Sequence, residues 1–510
     1  MSAPTTEEST TSIDQGWSER STSDRASIVV FGLALVVGFV ALVADLGRYY
    51  WFNGDEWFFL VDRDGGDLGQ LFEPHNEHLN TLPILVWRAM FRLFGLESYL
   101  PYQIPVLIAH LTVVACLWLI IRRCQVNPWI ATAAASVLIL FGPGEENIIW
   151  AFQIGFTGSL ALGLVHLLLA DHRGPINWRD WAGLTAGLAG LLSSGFAPLI
   201  TAVIGAVVLV RRGWRPALFN TVPLAVIFVT WWLAIGPDVI SDPYDRTPGV
   251  GDIAQFVWTA GRATFEGLGG SSWLAIVYVV VLVVGLVVAY APLPRAVAIN
   301  RAVLPVGLLV AGVFFLVVSG YGRWWIGPGA GAQSRYIHLA AAFTLPALAV
   351  AIDALARRST VAVVVAVVVL ASVIPHNIGD FENHEVFDEQ FFNSRRRFVV
   401  SLTESSLARE VPPETRPDPL WSPVPIGWLL DLREDGRLPS VESRPNPADP
   451  LLFGLSVLRS PNPYDDCLVV TEPIDLQLRR GDELGMAVGP WTEPKDGWFF
   501  NQAFSVQLLE

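Results

Sequence analysis

Asp55 and Glu56 stand side by side in NGDEWFF, with Trp51, Phe52, Trp57, Phe58 and Phe59 around them. A carboxylate set among aromatic rings at a membrane surface loses solvation, and its basicity rises toward what a general base needs. The same pair also fits a solvated loop acid beside an interfacial aromatic belt. Further on come His75, Asn76, Glu77 and His78. On a helix, histidines at i and i+3 share a face, and with Glu77 beside them His75 and His78 could bind a divalent cation. The order HNEH is neither HExxH nor its inverse. Polar contacts to a hydroxylated substrate therefore fit it better than a metal.

Two further clusters carry chemistry. Arg335-Tyr336 in GAQSRY and Arg323 in GRWW stand where the arginine pattern of the other loops would not put them. Guanidinium groups hold phosphate bidentately, and a lipid phosphate lies at this depth; the plainer role is snorkelling toward headgroups. In GEENIIWAFQ, Glu145, Glu146, Asn147, Trp150 and Gln153 combine carboxylates, amides and an indole. Such a set grips a sugar by its hydroxyls and its C–H face, although a short loop with an interfacial Trp has the same composition.

These residues must be held by elements that are mostly apolar. The 510 residues are 52% hydrophobic and only 16% charged, with a mean hydropathy of +0.46. The excess falls in runs near the length that crosses a ~30 Å hydrocarbon core. They lie at 26–46, 100–121, 128–141, 154–170, 181–193, 197–210, 217–236, 272–291, 302–320, 337–356 and 359–375. The chain therefore reads as a polytopic α-helical membrane protein with about eleven transmembrane helices over 26–375. Residues 1–25 read as a disordered cytoplasmic tail. The first outer loop, 48–98, contains an amphipathic in-plane helix at 81–97, with Trp87, Phe91 and Phe94 on one face. Residues 237–271 read as a long polar loop. Residues 376–510 read as an extracytoplasmic C-terminal domain, helical at 387–410 and β-rich from 465 onward. Polar residues inside the spans are few, and Asp45, His110 and His166 receive no role here.

Arginine counting sets the sides. With the N-terminus inside, Arg122, Arg123, Arg173, Arg179, Arg211, Arg212, Arg215, Arg295, Arg301, Arg357 and Arg358 all fall on inner loops. The plasma (inner) membrane is then the expected location, with the C-terminal domain outside. A net charge of −14 argues against nucleic acid as a partner. Cys116, Cys124 and Cys467 form no plausible disulfide framework. Lys495 is the only lysine, and that bias points to a high-GC, actinobacteria-like genome.

An outer-loop Asp-Glu after the first span, paired with an Arg-Tyr loop before a late one, resembles the GT-C membrane glycosyltransferases. The segments GDEW, EPHNEHLNTLP and GEENIIWAFQIGF are similar to those of bacterial members related to the protein mannosyltransferase and arabinosyltransferase families. The resemblance covers roughly residues 26–375. It implies an inverting glycosyltransferase of the cell envelope. A polyprenyl-phosphate-linked sugar would be the donor, and a glycan, lipid or protein the acceptor, within the membrane lipids. It makes Asp55 the catalytic base, with Glu56 the other candidate, because the family's pair is often Asp-Asp or Glu-Asp. Arg335, Tyr336 and Arg323 would bind the donor phosphate. His75, Glu77, His78, Glu146, Trp150 and Gln153 would line the sugar or acceptor. No cofactor is implied, and a divalent cation at His75 and His78 stays open. The readings from other classes are a transporter or flippase of a lipid-linked solute, and a non-catalytic envelope assembly protein.

Overall fold

A computed structural model describes residues 22–63, 68–75, 77–236, 247–327, 329–417 and 423–440. The expected N-terminal tail up to residue 21 and the β-rich segment 465–510 lie outside the described residues. The chain divides into two compact units. The first comprises the chain up to Tyr50, Gly65–Ala89 and Tyr99–Glu389; the second comprises Trp51–Asp64, Met90–Ser98 and the chain from Gln390.

The first unit is a helical bundle. Its helices are α1 (Thr22–Ala41), α2 (Thr81–Phe94, whose last turn belongs to the second unit), α3 (Leu100–Arg123), α4 (Pro128–Val137), α5 (Glu146–Ile149) and α6 (Ile154–Ala170). There follow α7 (Trp178–Leu191), α8 (Ala197–Arg212), α9 (Trp214–Ala234), α10 (Val250–Gly269), α11 (Ser272–Tyr290) and α12 (Arg295–Arg323). Then come α13 (Ser334–Ala356), α14 (Thr360–Ala371) and α15 (Ile374–Leu402), the last shared by both units. Among the described residues, eight stretches of helix are long and apolar enough to cross a membrane. They are α1 with its terminal π turn, α3, α6 with the turn before it, α9, α11, α12, α13, and α14 running into α15. The chain is thus a polytopic helical membrane protein.

Three segments that read as spans form shorter helices: α4 has 10 residues, α7 has 14 and α8 has 16. At ~1.5 Å per residue these fall short of a ~30 Å core. A capping box of Asn177 and Asp180 starts α7, and Pro198 sits in the first turn of α8. Both pack on longer helices, α7 on α6 and α8 on α9 and α12. Residues 250–269, read as part of a polar loop, instead form α10. Phe256, Ala260, Thr264 and Leu268 recur every fourth residue and are buried, while Trp258 faces out. One apolar stripe among polar residues is enough to dock a helix.

The centre of the bundle is α13. Every residue from Tyr336 to Ala356 is buried except Leu355. Its alanines let α3, α10, α11 and α12 close on it from all sides, the small-residue packing that membrane helices use in place of a hydrophobic driving force. Arginines gather at one end of the bundle. Asp171 holds Arg123 at 3.4 Å and Arg211 at 2.7 Å, while Asp180 holds Arg212 at 2.6 Å. Arg211 also donates to the Asn300 carbonyl at the start of α12. Arg323, at the far end of α12, therefore belongs to the opposite end of the bundle from these arginines.

In the second unit, Trp57 is fully buried, in contact with Trp51 (5.8 Å between ring centroids) and Phe52 (5.9 Å). Helix α16 (Ile426–Glu434) brings Trp428 edge-on to Trp57 and stacks it on Phe91 at 5.6 Å. The Leu96 N–H donates to the Arg437 carbonyl at 2.8 Å, and the Arg437 guanidinium lies over Phe91. The acidic segment of the first loop thus groups with the C-terminal residues, a division different from the boundary at 375/376 read from sequence.

Close packing on α13 is testable at Gly285, where a Cβ would meet the Ala351 carbonyl oxygen at 2.4 Å. Gly285→Leu should lower thermal stability in detergent by about 1–3 kcal/mol, the usual cost of overpacking. Val283→Leu, on an exposed face of the same helix, should leave the melting temperature unchanged.

Candidate functional site

The N-terminal end of α13 is gripped by the segment ahead of α6. The Ser334 hydroxyl donates to Glu145 Oε2 and accepts from the Glu146 N–H, each at 3.1 Å. Asn147 Nδ2 donates to the Arg335 carbonyl at 2.9 Å, and Glu146 Oε2 lies 3.4 Å from Arg335 Nε. The third and fourth clusters of the sequence therefore meet. No described residue bonds the two terminal nitrogens of Arg335, and its side chain is 34% exposed. The guanidinium fork stays open at the N-terminus of a 23-residue helix, where the dipole favours anions.

Arg323 is differently placed. Glu77 accepts from both of its terminal nitrogens, at 2.9 and 2.5 Å. Tyr336 sits between the two ion pairs, close enough for Glu77, Arg323, Arg335 and Glu146 all to act on it. Its ring packs on Phe256 at 5.2 Å and Phe315 at 6.3 Å.

The helix on which His75 and His78 would share a face is not formed. The two residues exchange backbone hydrogen bonds, both 3.0 Å, across a tight turn with Glu77 at φ 67°. That left-handed residue, with Pro74 just before the turn, excludes a helix. Asn80 Nδ2 donates to both histidine carbonyls at 3.3 Å. The turn lies on the start of α6, His75 against Phe152 and His78 against Phe156. The Gly195 N–H donates to His78 Nδ1 at 3.3 Å. Burial of its ring outweighs the pull of Glu77, and the neighbouring Arg323 and His75 add to it, lowering its pKa to about 4. Among the described residues, no three of His, Cys, Asp and Glu converge as a metal site would require.

Gln153 is fully buried, and neither atom of its amide has a partner among the described residues; the Trp150 indole N–H is likewise buried and unmatched. An unmatched buried polar group costs about 1–3 kcal/mol, which a polar ligand or water would recover. Beneath α2, an apolar cavity of about 240 Å³ opens between α3 and α6, lined by Pro83, Val86, Pro105, Ala109, Gly158 and Leu162, among others.

In the second unit the two acidic neighbours differ. Glu56 is fully buried, and its Oε2 accepts from the Asn53 N–H at 2.8 Å while its own N–H bonds the Asn53 carbonyl. Asp55 is half-buried and keeps access to solvent. Sequence reasoning missed Ser334 and His338 as contacts of the Glu145–Asn147 segment. The available signal was that two polar stretches, GEEN and QSRYIH, each border a span on the same side.

The fold and this cluster define an integral membrane protein with one charged, aromatic-lined end. No protein-family model matches the chain, and no curated protein matches it. Solved structures similar to it include crystal structures of ArnT from Cupriavidus metallidurans. The one bound to undecaprenyl phosphate is 16% identical, over 80% of this chain and 85% of that one, with a TM-score of 0.35. The apo form is 17% identical, over 80% and 84%, with a TM-score of 0.34. At such scores the likeness carries no weight for the chemistry, which rests on the residues above.

Neutral His78 has a consequence for pH. Its folded pKa lies near 4, below the ordinary 6.5, so the unfolded chain binds the proton first. Stability should be complete above pH 6.5 and fall as pH drops toward 4. Melting curves in detergent across that range should show a shallower decline for His78→Gln than for the wild type.

Proposed function

We propose that this chain is an inverting GT-C-type glycosyltransferase, hexosyl or pentosyl, that uses a polyprenyl-phosphate-linked sugar at the outer face of the plasma membrane. The observation that carries this reading is Arg335. Its guanidinium fork is open, steadied at Nε by Glu146, and set at the N-terminus of the most enclosed helix. Such a fork suits a phosphate oxygen pair. The apolar cavity beneath α2 suits the lipid's isoprene units next to the headgroup. Gln153 and Trp150 offer the unmatched polar groups and ring face that a sugar takes. Tyr336 and Arg323 complete the phosphate end, and the turn carrying His75, Glu77 and His78 lines the sugar or acceptor.

Asp55 is assigned as the base, since Glu56 is buried and committed to its own turn. Asp55 takes the proton of an acceptor hydroxyl on a glycan, lipid or protein as that oxygen attacks the anomeric carbon. The bond from the anomeric carbon to the phosphate oxygen breaks with its electron pair. Polyprenyl phosphate leaves, and Arg335 holds the charge that develops on it. The arginine-rich end of the bundle then faces the cytoplasm.

Purified full-length protein in nanodiscs, offered a set of polyprenyl-phosphate sugars and cell-envelope acceptors, tests the reading. Asp55→Asn should reduce transfer by about 10²–10⁴-fold, the range for a lost general base, with folding intact. Arg335→Ala should weaken donor binding by roughly 10–100-fold, as expected for a charge-assisted hydrogen bond. Full transfer by Asp55→Asn removes the base assignment, and unchanged donor affinity in Arg335→Ala removes the phosphate assignment.

A further inference from the structure

His110 on α3 and His338 on α13 are both fully buried, and their rings meet, with Nδ1 of His110 3.1 Å from Nε2 of His338. On one side, His110 Nε2 lies 3.2 Å from the Ile139 carbonyl. On the other, Asn147 Nδ2 lies 3.4 Å from His338 Nδ1 and 2.9 Å from the Arg335 carbonyl. With both rings neutral, only one arrangement of hydrogens satisfies the whole series. A carbonyl can only accept, so His110 Nε2 carries its hydrogen. His110 Nδ1 is then bare and must accept, which puts the hydrogen of His338 on Nε2. His338 Nδ1 is bare in turn, and Asn147 must turn its amino group toward it. That same amino group serves the Arg335 carbonyl. The direction of the Asn147 amide is thus set twice, by the Arg335 carbonyl and, from Ile139 through two imidazoles, by His338 Nδ1.

We infer that His338 is a positioning residue for Arg335, acting through Asn147 and the Glu146 carboxylate beside it; its value for catalysis rests on the phosphate role proposed above. A polar pair this deep in a membrane bundle is costly unless it does more than join helices. Removing the His338–Asn147 link leaves the amino group held by the Arg335 carbonyl alone. The Glu145–Asn147 segment would then hold the first turn of α13 through Ser334 and that single bond, and would move more freely against it.

Two substitutions separate this role from that of a strut between α3 and α13. His338→Asn places a carboxamide where Nδ1 was, keeping the contact to Asn147 and losing that to His110. His338→Gln reaches the Nε2 position, keeping His110 and losing Asn147. The full chain in nanodiscs is compared for melting temperature, for deuterium uptake at 143–150 and 332–338, and for affinity toward undecaprenyl phosphate, with Arg335→Ala alongside. Positioning is supported if His338→Gln melts like wild type, yet exchanges faster in both segments and binds the lipid about tenfold more weakly, as for one lost hydrogen bond. His338→Asn should stay near wild type in exchange and binding. The inference is overturned if His338→Gln matches wild type in uptake, or if uptake in both variants merely follows the loss of melting temperature. Should Arg335→Ala bind the lipid like wild type, the proposed phosphate site falls, while the exchange comparison still decides whether His338 holds the segment.

Discussion

A membrane helix enclosed on every side leaves its polar end dependent on whatever the protein brings to it. In this chain the Glu145–Asn147 segment does so. Ser334, the Arg335 carbonyl and the Arg335 Nε are each met by that segment. Without those contacts the first turn of α13 would hold an arginine and unmatched backbone groups at the edge of an apolar core, where each would cost free energy. The other parts of this end of the bundle build on this grip. Tyr336 can lie between two ion pairs because its helix is fixed, and Glu77 can reach Arg323 because α12 packs along α13.

Within the second unit, the adjacent carboxylates Asp55 and Glu56 have different surroundings. The turn that presents them needs an acceptor for the Asn53 N–H, and Glu56 supplies it from a fully buried position, while Asp55 is half-buried. The aromatic side chains nearby serve the packing of Trp57 against Trp51, Phe52 and Trp428.

The long spans were legible because length and hydropathy measure the thing that matters, the thickness of hydrocarbon to be crossed. A helix following the first outer-loop cluster was legible from the spacing of Trp87, Phe91 and Phe94, and it forms as α2. The short helices α4, α7 and α8 were not distinguishable from spans, since burial against protein and burial against lipid leave the same apolar signature. Helix α10 escaped notice for the opposite reason: exposed Trp258 and several charges dilute a stripe only one residue wide. The candidate residues were found by type, but their pairing was not. Glu77 meets Arg323 across 246 positions, and Glu145 meets Ser334 across 189, so no local pattern encodes either partner. The turn at His75–His78 was hidden by reading its spacing as helical. The different burial of Asp55 and Glu56 was not legible either, because adjacent acidic residues do not reveal it.

The enclosure of α13 also bears on how the protein senses its surroundings. Helices such as α11 and α14 present many side chains to the bilayer, and a change in hydrocarbon thickness acts on them directly through tilt. Over its apolar length, α13 presents only Leu355. The depth of Arg335 is therefore set by neighbouring protein and is insulated from the thickness of the lipid around it.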